Sequence, residues 1–180
     1  MVKPTDPWQT AEIAGPKKAI PIKAETVAAR IKRSSRSILV VGHLAAEDYS
    51  DNVKMIDYAI QLSNLAGIPV VATAHTAISF IERDFQPARS MSAMDIGNRL
   101  KDQEWKGLDG KGVHDLALFM GLPYYMEFVI LAGIKHFSPE LETISLDRFY
   151  HPHSTRSFPN LSVEDWNESF KVILSKLGEK

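Results

Sequence analysis

The chain has 180 residues, of which 44% are hydrophobic and 24% charged, with a formal net charge of −1 and no cysteine. This is the length and composition of one ordinary globular domain that folds without cross-links, and the near-zero charge gives no general attraction to nucleic acid or an anionic lipid surface. The absence of thiols excludes disulfides, thiolate nucleophiles, cysteine-ligated zinc and the usual protein ligands of an iron–sulfur cluster.

Residues 1–23 read as an N-terminal arm. Pro4, Pro7, Pro16 and Pro21 interrupt any helix there, because proline lacks the amide hydrogen and clashes with the preceding turn. Trp8 is too large an apolar surface to leave in water and is expected to dock on the body or on a neighbour. The arm has no apolar core of signal-peptide type, and no apolar run reaches the roughly 18 to 20 residues of a membrane helix. A cytoplasmic protein is the expectation.

From residue 24 the pattern becomes regular, and 24–180 reads as a single domain. Val27 and Ile31, four apart, predict a helix over 24–33, and Lys32, Arg33 and Arg36 put positive charge at its C-terminal end, where the helix dipole favours it. The run at 37–42, Ser-Ile-Leu-Val-Val-Gly, predicts a buried parallel strand closed by glycine. Ser50 and Asp51 open a helix that Gly67 stops, and residues 68–73 form the second strand with Pro69 at its entrance. Helical stretches follow over 78–83 and 91–101. A glycine-rich loop occupies 104–114, and 116–120 is the third strand. Pro123 begins a helix to 137, 141–146 is the fourth strand, and 147–160 reads as a polar loop with a short edge strand over 155–158. Ser162, Asp165 and the Leu161/Trp166 pair supply a capping box and a hydrophobic staple for the last helix. Trp166, Phe170, Ile173, Leu174 and Leu177 make its apolar stripe.

Strands alternating with helices predict a doubly wound, Rossmann-like α/β domain: a parallel sheet with helices on both faces. In such sheets ligands bind beyond the carboxyl ends of the strands. The residues that arrive there are Gly42 and His43, Thr73 and His75, and Gly121, and these five are the candidate cofactor-binding residues. Glycine lets backbone approach a phosphate, and helix N-termini offer free amides. Gly42 onward reads Gly-His-Leu-Ala-Ala-Glu-Asp, however, which is neither a dinucleotide fingerprint nor a Walker motif, and Glu47 and Asp48 repel a pyrophosphate. His43 and His75 have no third ligand fixed by spacing. His151-Pro-His153 has Asp147 as its only near carboxylate, so no metal site is expected. No serine nucleophile elbow is present, and basic and aromatic residues do not interleave as in a nucleic-acid surface. No catalytic residue is assigned.

Two resemblances add to this reading. The strand closed by glycine, the segment Leu65-Ala-Gly-Ile-Pro-Val-Val-Ala-Thr73 and the later Met120-Gly121 resemble the FAD/NAD-binding central domain of thiamine-diphosphate enzymes. More narrowly, residues 36–42, 67–73, Trp105-Lys-Gly-Leu-Asp-Gly-Lys-Gly112 and Ser157-Phe-Pro-Asn-Leu161 resemble the epsilon subunit of the archaeal acetyl-CoA decarbonylase/synthase complex over roughly residues 20–177. The Trp105–Gly112 motif is the most specific part. The resemblance implies a non-catalytic accessory subunit in acetyl-CoA metabolism and methanogenesis. Its partner would be the large alpha subunit, which carries the nickel and iron–sulfur clusters of carbon monoxide dehydrogenase. Two roles follow from it: stabilising that assembly, and helping electrons reach FAD. No cofactor is expected to bind tightly to the isolated chain, with FAD held only in the assembled complex. Self-association is also expected, and the Trp105–Gly112 loop together with the Trp8 arm is the expected contact surface. The alternative is a free-standing flavin- or nucleotide-binding protein.

Overall fold

The computed structural model describes residues 18–47, 54–73 and 75–179. In chain order the elements are β1 (Ile20–Pro21), α1 (Ala24–Arg33), β2 (Ser37–Val41), a short 3₁₀ turn (His43–Ala46), α2 (Met55–Ala66), β3 (Val70–Ala72), α3 (Thr76–Ile81), β4 (Arg89–Ser90), α4 (Ala93–Lys101), β5 (Leu116–Met120), α5 (Tyr124–Phe137), β6 (Glu142–Ser145), β7 (Arg156–Ser157) and α6 (Val163–Gly178). The strands form one sheet in the order β1-β7-β6-β5-β2-β3-β4, and every pair is parallel. The chain winds outward from β2 to β4, then returns to start again at β5 beside β2. This reversal defines a doubly wound sheet.

The central strands explain why both faces must be covered. Every residue of β5 is buried, as is all of β2 after Ser37, so alternate side chains enter two separate cores. Leu39, Val41, Leu118 and Met120 pack with α1, α2 and α6, including Trp166 and Phe170. Ile38, Val40, Ala117 and Phe119 pack on the other face with α4 and α5. The Ser162 N-cap of the last helix forms as its sequence predicts, with the Ser162 hydroxyl also donating to the Asp165 carboxylate at 2.9 Å. The Ser162 hydroxyl accepts from the Asp165 amide at 3.0 Å, and the Trp166 indole donates to the Leu146 carbonyl at 2.8 Å. Among the described residues no helix is long and apolar enough to cross a membrane.

The four expected strands are present and adjacent, and three short ones extend the sheet. Two local readings are corrected. The segment 147–160 is not a solvent-facing polar loop: Asp147, Tyr150, His151, His153, Ser154, Ser157 and Phe158 are all buried. Its strand β7 is not at the edge either, because Ile20–Pro21 pairs outside it. The last residues of the expected arm thus belong to the sheet, while Trp8 lies outside the described residues, as do Ser50 and Asp51. The described part of that helix starts at Met55.

Within the chain, the Trp105–Gly112 motif is organised around its own residues. Arg36 bridges Asp109 at 2.6 Å and donates to the carbonyls of Gly112 and Val113 at 3.0 and 3.2 Å. Trp105 packs on the second core and lies 5.6 Å from the His114 ring. Gly107 has φ +73°, and a Cβ there would meet the Gly112 carbonyl oxygen at 2.5 Å. Asp115 accepts from the Ser34 hydroxyl and from the amides of Ser35 and Arg36. This knot closes the amino ends of β2 and β5, the edge opposite the expected ligand site.

At the carboxyl ends of the same two strands the turns touch. A Cβ on Gly42 would stand 2.2 Å from the Gly121 carbonyl oxygen, and one on Gly121, whose φ is +69°, would stand 2.7 Å from the Ala45 nitrogen. Both obstacles are backbone, which cannot step aside as a side chain does. Gly42→Ala is therefore expected to cost about 3 kcal/mol, the upper end of overpacking penalties. Gly178→Ala, at a helix end with nothing within 4 Å, is expected to stay within about 0.5 kcal/mol. Urea unfolding of the two variants checks this, and equal midpoints would contradict the close approach.

Candidate functional site

The candidate residues Gly42, His43, Thr73, His75 and Gly121 arrive at one sheet edge, as the topology requires. The backbone donors of Gly42, Thr73 and Gly121 are already used. The Gly42 amide donates to the Met120 carbonyl at 2.8 Å, and the Thr73 amide to Val41 at 2.9 Å. The Gly121 amide donates to Asp147 Oδ1 at 2.8 Å. Leu44 donates to the Gly121 carbonyl at 3.0 Å, so the turns after β2 and β5 are stitched to each other. His43 and His75 are exposed, whereas Thr73 is buried.

Beside this seam, between the ends of β5 and β6, the structure brings together three groups far apart in sequence. Glu127 lies in the first turn of α5, on the helix face that also carries Ile130, Leu131 and Ile134 into the core. Asp147 follows β6, and His151 lies four residues further on. One ligand-capable atom from each falls within 4.8 Å of the others, and all three residues are buried. The Glu127 side chain is 0% exposed and that of His151 1%, with Glu127 Oε2 and His151 Nε2 3.7 Å apart. Neither Glu127 oxygen nor His151 Nδ1 has a hydrogen-bond partner.

The surroundings hold these groups firmly. The Tyr124 ring stacks on His151 with centroids 4.1 Å apart, and the Tyr124 hydroxyl donates to the Tyr150 carbonyl at 3.0 Å. The His151 amide donates to Ser157 Oγ at 3.0 Å. Phe128 meets His153 edge to face at 4.4 Å. A cavity of about 150 Å³ reaches Asp147 and His151, walled by Leu44, Met55, Leu122, Tyr124 and Phe149.

Burial dominates the electrostatics. It raises the Glu127 carboxyl well above its usual range, reinforced by the neighbouring Asp147 charge and opposed by the Ser145 hydroxyl. Burial pushes Asp147 up to about 6, against the pull of the Gly121 amide. It pushes His151 down to about 3, with His153 adding to the effect. Burial thus works against the charged form of all three groups, raising the two carboxyls and lowering the imidazole.

Reading the sequence singled out Asp147, His151 and His153 but missed Glu127. The signal was available: Glu127 stands three and four residues before Ile130 and Leu131, on the inward face of an apolar helix. An acid at such a position needs a partner.

Two kinds of comparison place the chain among known proteins. A family model described as CO dehydrogenase beta subunit/acetyl-CoA synthase epsilon subunit matches residues 2–174. The chain is 34% identical over 160 residues to the acetyl-CoA decarbonylase/synthase complex subunit epsilon of Methanothermobacter thermautotrophicus, covering 89% of each chain. It is 34% identical to the subunit of that name from Methanothrix soehngenii, covering 95% of this chain and 90% of the relative. Against subunit epsilon 1 of Archaeoglobus fulgidus the identity is 37%, over 87% and 83%.

The buried acids predict a pH dependence with a definite sign. A carboxyl whose folded pKa is raised binds its proton more tightly in the folded state, so folding loses stability as pH rises above the unfolded value of about 4.3 and on through the folded one. His151 acts oppositely and only below its unfolded value of about 6.5, and comparison with a variant at Glu127 cancels it. Glu127→Gln, which mimics the protonated acid, is expected to gain stability relative to the native protein as pH rises from about 5 to about 8. Urea unfolding of both proteins in a chelating buffer checks this, and a pH-independent difference would contradict the buried, protonated Glu127.

Proposed function

The chain belongs to the CO dehydrogenase beta subunit/acetyl-CoA synthase epsilon subunit family, and from that premise we propose that it is a non-catalytic accessory subunit that stabilises the large cluster-bearing subunit of the carbon monoxide dehydrogenase component. The observation that carries the reading is the outer face of α5. In Tyr-Tyr-Met-Glu-Phe-Val-Ile-Leu-Ala-Gly-Ile-Lys-His-Phe only Glu127, Lys135 and His136 interrupt the apolar sequence. Ile130, Leu131 and Ile134 fill the core, yet Tyr125 is 70%, Val129 57% and Phe137 66% exposed. With Gly133 these residues recur every four positions, forming one winding ridge. A helix apolar on both faces needs cover on both, and exposed aromatics are typical anchors of protein interfaces. Phe149, 44% exposed under the Arg148 guanidinium at 3.9 Å, adds a further aromatic surface.

A flavin role fits the same assembly as a finer reading, supported by the doubly wound sheet, whose ligands bind at the strand-order reversal. The amides of Gly42, Thr73 and Gly121 are committed within the chain, so an FAD pyrophosphate would need donors from the partner. His43 and His75, exposed on the rim, would stand beside it.

Two measurements test these roles. Tyr125→Asp with Val129→Asp is expected to weaken capture of the large subunit at least tenfold while the far-ultraviolet circular dichroism stays unchanged; full capture would overturn the docking face. FAD titrated against the isolated chain is expected to show no saturable binding, and against the assembled component to show it. Absence of binding in both removes the flavin role and leaves the stabilising one.

A further inference from the structure

We infer that Glu127, Asp147 and His151 hold one divalent transition-metal ion, clamping α5 to the connection between β6 and β7. Among the described residues seven buried side-chain polar atoms lack a hydrogen-bond partner, and four of them belong to Glu127, His151 and the adjacent Ser145. Buried polar atoms are normally satisfied, and a cation bound among these donors would satisfy this concentration of them. Both Glu127 oxygens are free to coordinate, in a side chain with no exposure at all.

The geometry suits an ion. Two donors each about 2.1 Å from one tetrahedral ion stand roughly 3.4 Å apart, and Glu127 Oε2 and His151 Nε2 are 3.7 Å apart. That pair needs to close by only a few tenths of an ångström, and the Asp147 donor lies within 4.8 Å of both. The charge suits it too. Two carboxylates and a neutral imidazole around a doubly charged cation make a neutral assembly, which removes the penalty of burying two unpaired anions. The mixed carboxylate and imidazole donor set suits a first-row divalent transition-metal ion such as Zn²⁺, Fe²⁺ or Mn²⁺. Outer contacts are present: the Gly121 amide on Asp147 at 2.8 Å and the Tyr124 ring on His151 fix two of the ligands, as surrounding groups do in metal sites. The cavity that reaches Asp147 and His151 supplies an entry path and room for water as a further ligand.

The test uses the full chain, stripped with a chelator and titrated with Zn²⁺ and, separately, Mn²⁺ at pH 7.5 by calorimetry. One saturable site and a rise in Tm of several degrees are expected. Glu127→Gln, which keeps the shape and removes a buried charge, is expected to weaken binding at least tenfold with an unchanged circular dichroism spectrum, and Asp147→Asn likewise. The control variant Glu140→Gln, an exposed acid outside the cluster, is expected to bind as the native chain does. No saturable binding of either ion, or native affinity in Glu127→Gln, would overturn the site.

Discussion

The contact between the Gly42 and Gly121 turns organises the functional end of this molecule. In a doubly wound sheet the crevice at the reversal of strand order is the usual ligand position, since the two neighbouring loops diverge there. Here they do not diverge. The Gly42 amide reaches the Met120 carbonyl, the Leu44 amide reaches Gly121, and no side chain fits between them. The glycines that suggest a phosphate cradle also bring two backbones into direct contact, and an open space lies to the side, at the ends of β5 and β6.

That displacement determines the electrostatics. With its carbonyl taken by Leu44, Gly121 turns its amide to Asp147, drawing the carboxylate inward beneath Leu122 and Tyr124. The connection between β6 and β7 follows and brings His151 under the Tyr124 ring. Glu127, carried by the buried face of α5, meets both. Groups that water would stabilise as ions are held where desolvation governs them, so the carboxyls rise and the imidazole falls. A proton or a cation resolves the conflict equally well in principle.

The same helix joins this centre to the outside. The inward side of α5 carries Glu127 and the outward side carries Tyr125, Val129 and Phe137, so anything that fixes the helix to the Asp147–His151 connection also fixes the apolar ridge. A docking face gains from such rigid presentation, since ordering a mobile surface at the moment of docking costs affinity. The opposite end of the sheet is locked by different means, through Arg36, Asp109 and the turns around Gly107. The Trp105–Gly112 motif, the most specific feature of the sequence, thus reads in three dimensions as a self-packed brace.

The sequence by itself determined the parallel sheet, its four central strands, the final helix and its cap. These rest on interactions between neighbours: unbroken apolar runs for strands buried on both faces, and Ser162 three residues before Asp165. It also placed Gly42, Thr73 and Gly121 at one edge, since that follows from strand direction alone. Only the tertiary structure decided what lies there. Polar residues between 147 and 160 look like loop when read locally, and become interior because Ile20–Pro21 closes outside β7 and covers them. Glu127 and Asp147 are twenty positions apart, and no spacing rule couples a helix face to a strand end. Their meeting depends on which crossover packs α5 against the second core, a long-range outcome of burial that periodicity cannot encode.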